Sequence, residues 1–174
     1  EVEVQSALAE CLQLSPTDCS KGPHGPIGSW DVSTVANMSI LFLDAKYTPV
    51  PGADKFNGDI SKWDVSRVTD MSGMFRQAKV FNLDLSNWDV SSVTSMDNMF
   101  YYAASFNQKL CGTSWVNSRA SKESMFSGSP GSIACTTSAM FVSTAEFKSA
   151  VETCLKFSPT GDCSTDSHGL LAEW

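Results

Sequence analysis

A pattern with a period of 25 residues runs through the middle of the chain. Residues 63–82 read WDVSRVTDMSGMFRQAKVFN, and residues 88–107 read WDVSSVTSMDNMFYYAASFN. The two segments share the tryptophan, the aspartate, both methionines and the closing Phe-Asn pair at matching positions. Trp30 and Trp115 open two less regular copies. Repetition of this kind predicts structural units that stack on one another and share one hydrophobic core.

Each repeat contains two different hydrophobic patterns. Polar and apolar residues alternate over residues 59–63 and 84–88, which predicts a short strand. After this strand, apolar residues recur at intervals of three and four positions, which predicts a helical turn with Thr69 or Asp70 as its N-cap. The apolar residues of that turn are Val68, Met71, Met74, Phe75 and Ala78. The sequence therefore predicts an α/β fold, a short solenoid of about four 25-residue coils, flanked by disulfide-stapled helices.

Two residue types recur at the bend between repeats. Phe56, Phe81 and Phe106 are predicted to form a column through the interior. Each is followed by an asparagine, at positions 57, 82 and 107. An asparagine can both donate and accept a hydrogen bond, so these side chains are predicted to pair backbone groups of neighbouring repeats. Their expected role is structural.

A second, longer period relates the two ends of the chain. Residues 6–30 and 149–174 share Ser-Ala, Cys-Leu, Ser-Pro-Thr, Asp-Cys-Ser, His-Gly and Trp in the same order. In both copies an apolar helical pattern, over residues 3–14 and 147–155, ends at Ser-Pro. We expect residues 1–29 to form an N-terminal helix with a stapled turn and residues 30–110 the regular repeats. Residues 111–142 are expected to form a degenerate capping repeat, and residues 143–174 the start of the next tandem module.

The six cysteines form an even set that fits this duplication. We expect disulfides between Cys11 and Cys19 and between Cys154 and Cys163, one in each copy, and between the remaining Cys111 and Cys135. Six cysteines allow 15 connectivities, so the choice depends on the duplication. A metal site is the other reading, but no CxxC or CxxH spacing occurs. Disulfides indicate an extracellular or cell-surface protein, or an organelle lumen.

Residues 27–126 resemble the BspA-like branch of the leucine-rich-repeat superfamily. Its repeats often take the form Trp-Asp-Val-Ser-x-Val-Thr-x-Met-x-x-Met-Phe-x-x-Ala-x-x-Phe-Asn. Residues 63–82 and 88–107 match that string at every named position, residues 30–45 match loosely, and residues 115–126 depart further. The resemblance implies a right-handed, leucine-rich-repeat-like α/β solenoid. Such solenoids are found in surface proteins, and the implied function is adhesion or protein binding. It implies no catalytic residues.

Composition and motifs argue against several functions. A net charge of −7 disfavours nucleic acid and anionic membranes as partners, and no apolar run is long enough to span a bilayer. No phosphate-binding loop, dinucleotide fingerprint or nucleophile elbow is present. The matching His24 and His168 fit turn positions better than metal ligands. The recurring Asp59, Asp64, Asp84 and Asp89 fit a solvated acidic face better than a calcium site. We expect the protein to have no enzymatic activity and to bind no metal and no cofactor.

Two features indicate where this chain contacts other molecules. The proline-rich insertion that interrupts the period, residues 47–51 (Tyr47, Thr48, Pro49, Val50, Pro51), is the candidate partner loop, because insertions in repeat arrays commonly form the binding face. Asn37-Met38-Ser39 is a sequon for N-glycosylation, placed at a helix start. The sequence favours a structural or adhesive module of a longer secreted or cell-surface array, binding neighbouring copies of the module. The alternative is a subunit that binds a protein or glycan.

Overall fold

The computed structural model describes residues 2–134, apart from the side chains of residues 2 and 3. The chain divides into two compact units, Glu1–Cys135 and Thr136–Trp174, and the described residues belong to the first. The predicted start of a second module at residues 143–174, Cys135 and the Cys154–Cys163 pair lie outside the described residues.

The N-terminal helix predicted over residues 3–14 is confirmed as α1, Val2–Leu14. The helix ends before Ser15-Pro16, where proline forces the preceding residue out of the helical region. Leu8 and Leu12 are buried in the same hydrophobic core as the repeats. Gln5 Nε2 donates to the carbonyl oxygens of Ile40, at 3.2 Å, and Leu43, at 2.7 Å. The helix therefore covers main-chain acceptors of the first repeat.

The predicted α/β leucine-rich-repeat-like solenoid is wrong. Within residues 2–134 the repeats contain no strand longer than an isolated bridge and no sheet. Beyond α1, the described part of the chain has only the short helix α2, Thr113–Val116, and the 3-10 segments Ile27–Ser29 and Ala53–Lys55. Tight turns and loops make up the rest of these residues, joined by parallel bridges from Asn37 through Asp70 and Ser95 to Ser121. The architecture is a stack of turn-rich repeats.

Left-handed residues explain why residues 68–78 form no helical turn. Gly73 has φ of 61° and Gln77 has φ of 59°, and the equivalent Asn98 and Tyr102 have φ of 57° and 54°. A residue in this region cannot continue a right-handed helix. Alternate amides then point along the stack and donate to the following repeat. These bonds join Met71 to Ser95, Gly73 to Asp97, Phe75 to Met99 and Gln77 to Tyr101 at 2.8–2.9 Å.

The ladder continues in both directions with the same polarity. The N–H of Met38 donates to Asp70 O at 2.8 Å, and the N–H of Met96 donates to Ser121 O at 2.8 Å. In these bonds the donor belongs to the earlier repeat and the acceptor to the later one, whereas the amides of Thr69 and Thr94 donate back to Ala36 O and Thr69 O at 2.7 Å. The predicted N-cap role of Thr69 or Asp70 is wrong, because no helix directly follows either residue, and Asp70 Oδ1 accepts from Ser72 N at 2.8 Å within a turn.

Side chain-to-backbone turns replace the strand predicted over residues 59–63. Asp59 Oδ1 accepts from Ser61 N at 3.0 Å and from Ser61 Oγ at 2.6 Å. An aspartate that bonds the backbone two residues ahead imposes a turn and competes with an extended strand. The alternation of polar and apolar residues marks the buried positions correctly, since Ile60 and Trp63 lie in the core.

Two phenylalanine columns form the centre of the stack. Phe56, Phe81 and Phe106 are completely buried, with successive ring centroids 6.1 and 6.0 Å apart and ring planes within 7°. A second column, formed by Phe75, Phe100 and Phe126, packs beside the first. Its successive ring centroids are 5.4 and 5.5 Å apart. The predicted Phe56–Phe81–Phe106 column is confirmed, and its burial against flat aromatic neighbours fixes the register of the repeats.

Candidate functional site

Trp63 and Trp88 each bond to the preceding repeat, when a repeat is counted from the apolar residue three positions before its tryptophan. The indole Nε1 of Trp63 donates to Ile27 O at 2.9 Å, and that of Trp88 donates to Ile60 O at 3.2 Å. Both acceptors belong to the preceding repeat, and both tryptophans are buried. The sequence analysis missed this role. The available signal was an apolar residue three positions before the tryptophan, seen in Ile27–Trp30, Ile60–Trp63 and Leu85–Trp88.

The asparagine ladder has the predicted structural form. Asn57 Oδ1 accepts from Asn82 N at 2.9 Å, and Asn82 Oδ1 accepts from Asn107 N at 2.9 Å. Gln108 Nε2 also donates to Asn82 Oδ1 at 3.0 Å. The Oδ1 atoms of Asn57 and Asn82 therefore join neighbouring repeats, which is the structural role predicted for the ladder.

The recurring aspartates lie in exposed turns and not around a common centre. The hydroxyl of Ser66 donates to Asp64 Oδ1 at 2.6 Å, and a matching bond joins Ser33 to Asp31 at 2.7 Å. The bond from the serine hydroxyl, followed by the bond from the serine amide, holds the pKa of each carboxyl below its usual value. Asp59 and Asp89 have their pKa lowered in the same way. Within residues 2–134, no three His, Cys, Asp or Glu side chains are grouped to hold a metal ion.

The cysteines in the described part of the chain are oxidised. Cys11 and Cys19 form the predicted disulfide, with Cα atoms 5.0 Å apart. Both residues are completely buried, so the bond fastens the turn after α1 to the helix inside the core. Cys111 is also disulfide-bonded. Its predicted partner, Cys135, lies outside the described residues, and the pairing stays a prediction.

The insertion at residues 47–51 projects from the first repeat. Tyr47 is 59% exposed and has φ of 59°. Asp44 Oδ1 accepts from the hydroxyl and the N–H of Thr48, and an antiparallel bridge joins Leu43 to Pro49. The loop is therefore an ordered turn that presents an aromatic side chain. A role in partner binding stays a prediction.

Asn37 lies in a turn and not at the helix start predicted for it. It is half-buried and forms a parallel bridge with Asp70. Its Oδ1 accepts from Ser39 N at 2.8 Å, as Asp70 Oδ1 does from Ser72 N in the next repeat. The asparagine thus occupies a site where the fold tolerates an aspartate. Its glycosylation stays a prediction.

His24 lies at an open groove beside Trp30. The groove is shallow and lined by Ala7, His24, Ser29, Trp30 and Asp31. The rings of His24 and Trp30 meet edge to face at 5.8 Å, and Trp30 Nε1 donates to Gly25 O at 3.2 Å. This bond closes a local turn, so Trp30 differs from Trp63 and Trp88. The contacts agree with a turn role for His24.

Arg76 and two tyrosines form a surface cluster that the sequence analysis did not identify. The guanidinium of Arg76 lies over the ring of Tyr101, 4.8 Å from its centroid, and Tyr101 meets Tyr102 at 4.6 Å. Arg76 and Tyr101 stand 25 positions apart. The repeat period could have revealed this contact, because equivalent positions stack.

A family match was found for most of the chain, and it carries no functional description. Residues 17–135 match the model of a family described as "Mycoplasma protein of unknown function, DUF285". No curated protein and no solved structure matches the chain significantly. The resemblance to BspA-like repeats stays a prediction. Among the described residues, no helix is long and apolar enough to cross a membrane.

Proposed function

Because the chain belongs to the family described as "Mycoplasma protein of unknown function, DUF285", which names no activity, we propose a function from its own residues. The chain is a non-enzymatic structural or adhesive repeat module of a longer protein that is secreted or displayed on a cell surface. Its partners are neighbouring copies of the module or a protein or glycan ligand.

One observation carries this proposal: the side chains that could perform chemistry are used to join repeats. The tryptophan indoles bond to the preceding repeat, and Asn57 and Asn82 bond to the following one. The serine and aspartate side chains close turns, as in the Asp64–Ser66 pair. A surface built from such turns supports a mechanical or adhesive role better than catalysis.

Membership of an array is supported by the duplication of residues 6–30 as residues 149–174. It is also supported by the resemblance of residues 63–107 to BspA-like surface repeats, although that resemblance does not extend to a leucine-rich-repeat fold. The test is the mass of the native polypeptide, isolated from its source under reducing conditions. We expect several times the 18.8 kDa of this chain. A native mass near 18.8 kDa would overturn the proposal of an array.

An oxidising location is supported by the Cys11–Cys19 disulfide. We propose the extracellular space or the cell surface, with an organelle lumen as the alternative. Glycosylation of Asn37 is expected in each of these locations. A loss of mass of the native protein after enzymatic deglycosylation tests it. Asn37→Asp is the matched control, because Asp70 holds the equivalent turn in the next repeat. A native protein with an unmodified Asn37 would contradict this part.

The exposed Tyr47 favours the second candidate, a subunit that binds a protein or glycan through residues 47–51. Tyr47→Ser should weaken ligand capture from extracellular material without changing the melting temperature. Val116→Ser removes an equally exposed apolar side chain, 51% exposed, far along the sequence and serves as the control. Equal capture by both variants would remove the loop from consideration.

A further inference from the structure

A patch of cations and tyrosines lies on the turns that close the second and third repeats. We define this cation–tyrosine patch as Arg76, Lys79, Val80, Tyr101 and Tyr102. The guanidinium carbon of Arg76 lies over the Tyr101 ring, and Tyr102 is 56% exposed. The N–H of Ser105 donates to Lys79 O at 3.1 Å, which brings the end of the third repeat beside Lys79. The patch therefore joins two neighbouring repeats on one flank.

The two cations of the patch have no carboxylate partner in the described part of the chain. Neither Arg76 nor Lys79 makes an ion pair with any residue between 2 and 134, and neither influences a carboxyl whose pKa is shifted. By contrast, Lys62 and Arg67 act electrostatically on Asp59 and Asp64. The Nε of Arg76 is buried and has no hydrogen-bond acceptor. Stacking on Tyr101 thus holds a positive charge in place without neutralising it.

The same chain carries a complementary surface on a different turn of the repeat. Asp31, Asp64 and Asp89 each follow a repeat tryptophan, are exposed, and occupy equivalent positions in successive repeats. Asp64 experiences the charge of Asp31, and Asp89 experiences the charge of Asp64. We call these three residues the acidic row. Bonds from the serine or its amide hold each carboxylate outward in a fixed turn.

We propose that the cation–tyrosine patch of one molecule docks onto the acidic row of a second molecule of this chain. Charge complementarity supports this occupant, because the two cations have no carboxylate partner within residues 2–134 and the acidic row presents three exposed carboxylates on a chain of net charge −7. The patch and the row are different surfaces, so the contact is heterologous. Such contacts leave one patch and one row free in every pair and can extend into an open assembly. The inference builds on the proposed structural or adhesive function.

The test is sedimentation of the whole chain at increasing concentration in low and high salt. We expect concentration-dependent association that weakens at least tenfold in about 1 M salt, where charges are screened beyond about 3 Å. Arg76→Ala/Lys79→Ala should weaken association at least tenfold. The control is Arg119→Ala/Lys109→Ala, which changes the net charge by the same amount as the patch variant. It replaces two exposed cations outside the patch and should leave association unchanged.

A mixing experiment separates the two surfaces. Asp64→Asn/Asp89→Asn removes two charges of the row while the amide oxygen can still accept from Ser66 and Ser91. Neither this variant nor the Arg76→Ala/Lys79→Ala variant should associate alone, but a mixture should form one-to-one dimers that grow no further. Unchanged melting temperatures establish that both variants fold.

Three results would overturn the inference. They are a chain that stays monomeric in low salt, a patch variant that associates like its control, or a mixture that forms no dimers. Binding of an acidic polysaccharide by the patch of a monomeric chain would likewise replace the second molecule as occupant. If the native polypeptide is several times larger but the isolated 174-residue chain stays monomeric, only this inference is overturned. A native polypeptide of 18.8 kDa that self-associates defeats only the proposal of an array.

Discussion

The indole Nε1 of Trp115 donates to the carbonyl oxygen of Leu85 at 2.8 Å, across 30 residues of sequence. Both residues are completely buried. The fourth repeat has lost the Asp-Val-Ser that follows the other tryptophans, yet it keeps this bond. The inter-repeat bond therefore does not depend on the Asp-Val-Ser sequence that follows the other tryptophans.

Replacing Trp88 by phenylalanine should destabilise the fold by about 2 kcal/mol. The substitution removes one of the two hydrogen bonds to the Ile60 carbonyl, whose other donor is Trp63 N at 3.1 Å, and such a bond contributes about 0.5–1.5 kcal/mol. The smaller ring adds the cost of a cavity at a buried position. Chemical denaturation measures the free energy of unfolding. Trp30→Phe is the control, because Trp30 is half-buried and bonds only its own local turn. Equal losses in both variants would contradict an inter-repeat role for the indole.

Replacing Asn82 by alanine should destabilise the fold by about 1 kcal/mol, the usual net contribution of a hydrogen bond, because the Asn107–Asn82 bond is exposed to water. Its Oδ1 accepts from Asn107 N and Gln108 Nε2, and both donors would lose that acceptor. Asn87→Ala removes an exposed asparagine of the same repeat and should cost under about 0.5 kcal/mol. Denaturant titration of the two variants provides the comparison. A silent Asn82→Ala variant would show that the ladder contributes nothing to stability.

Removing the first disulfide should cost about 2–3 kcal/mol in the Cys11→Ala/Cys19→Ala variant, because the bond closes a short loop in the unfolded chain. The loss should begin at α1. Hydrogen exchange should show the amides of residues 5–14 becoming exposed while those of residues 71–77 stay protected. Uniform loss of protection across both segments would contradict a local stapling role.

Acid should destabilise the protein over a defined pH range. Asp31, Asp59, Asp64 and Asp89 have lowered pKa values in the folded state, mainly through bonds from the serine two residues later. The unfolded chain therefore binds protons first as the pH falls, starting near the ordinary aspartate pKa of about 3.9. The stabilising contribution is complete above that pH and is lost as the pH drops through the folded pKa values.

Melting temperatures should accordingly stay level from neutral pH to about pH 5 and fall below about pH 4. The variant with asparagine at positions 31, 59 and 64 should show a shallower fall, because its turns no longer titrate. A melting temperature that rises on acidification, or a variant with the same slope, would contradict this assignment.

The sequence predicted which residues lie inside but not the backbone that carries them. Met71, Met74 and Phe75 were placed on a helical face, and all three are completely buried. A spacing of three and four records only which positions face the core. The conformation depends on Gln77 adopting φ of 59°, an uncommon choice for a non-glycine residue that the repeat pattern does not reveal.

Contacts between repeats were predictable only where one residue type recurs. The Phe56–Phe81–Phe106 column and the asparagine ladder join like to like at a constant offset, so the period alone identifies them. The Trp63–Ile27 bond joins unlike residues 36 positions apart, and the Arg76–Tyr101 contact pairs a cation with an aromatic ring. Both follow from stacking the repeats in three dimensions, after which equivalent positions become neighbours.

The hydrogen-bond ladder, most of whose bonds run in one direction, gives this flank a net dipole. The peptide unit between Asp70 and Met71 accepts from Met38 N and donates to Ser95 O, and the amides of Gly73, Phe75 and Gln77 donate in the same direction, while the Thr69 amide donates the opposite way. Each unit has a dipole of about 3.5 D, and aligned units add and polarise one another. This flank therefore has a partial positive charge at the repeat that contains Ser121 and a partial negative charge at the first repeat. The two ends attract opposite charges, even where their side chains are alike.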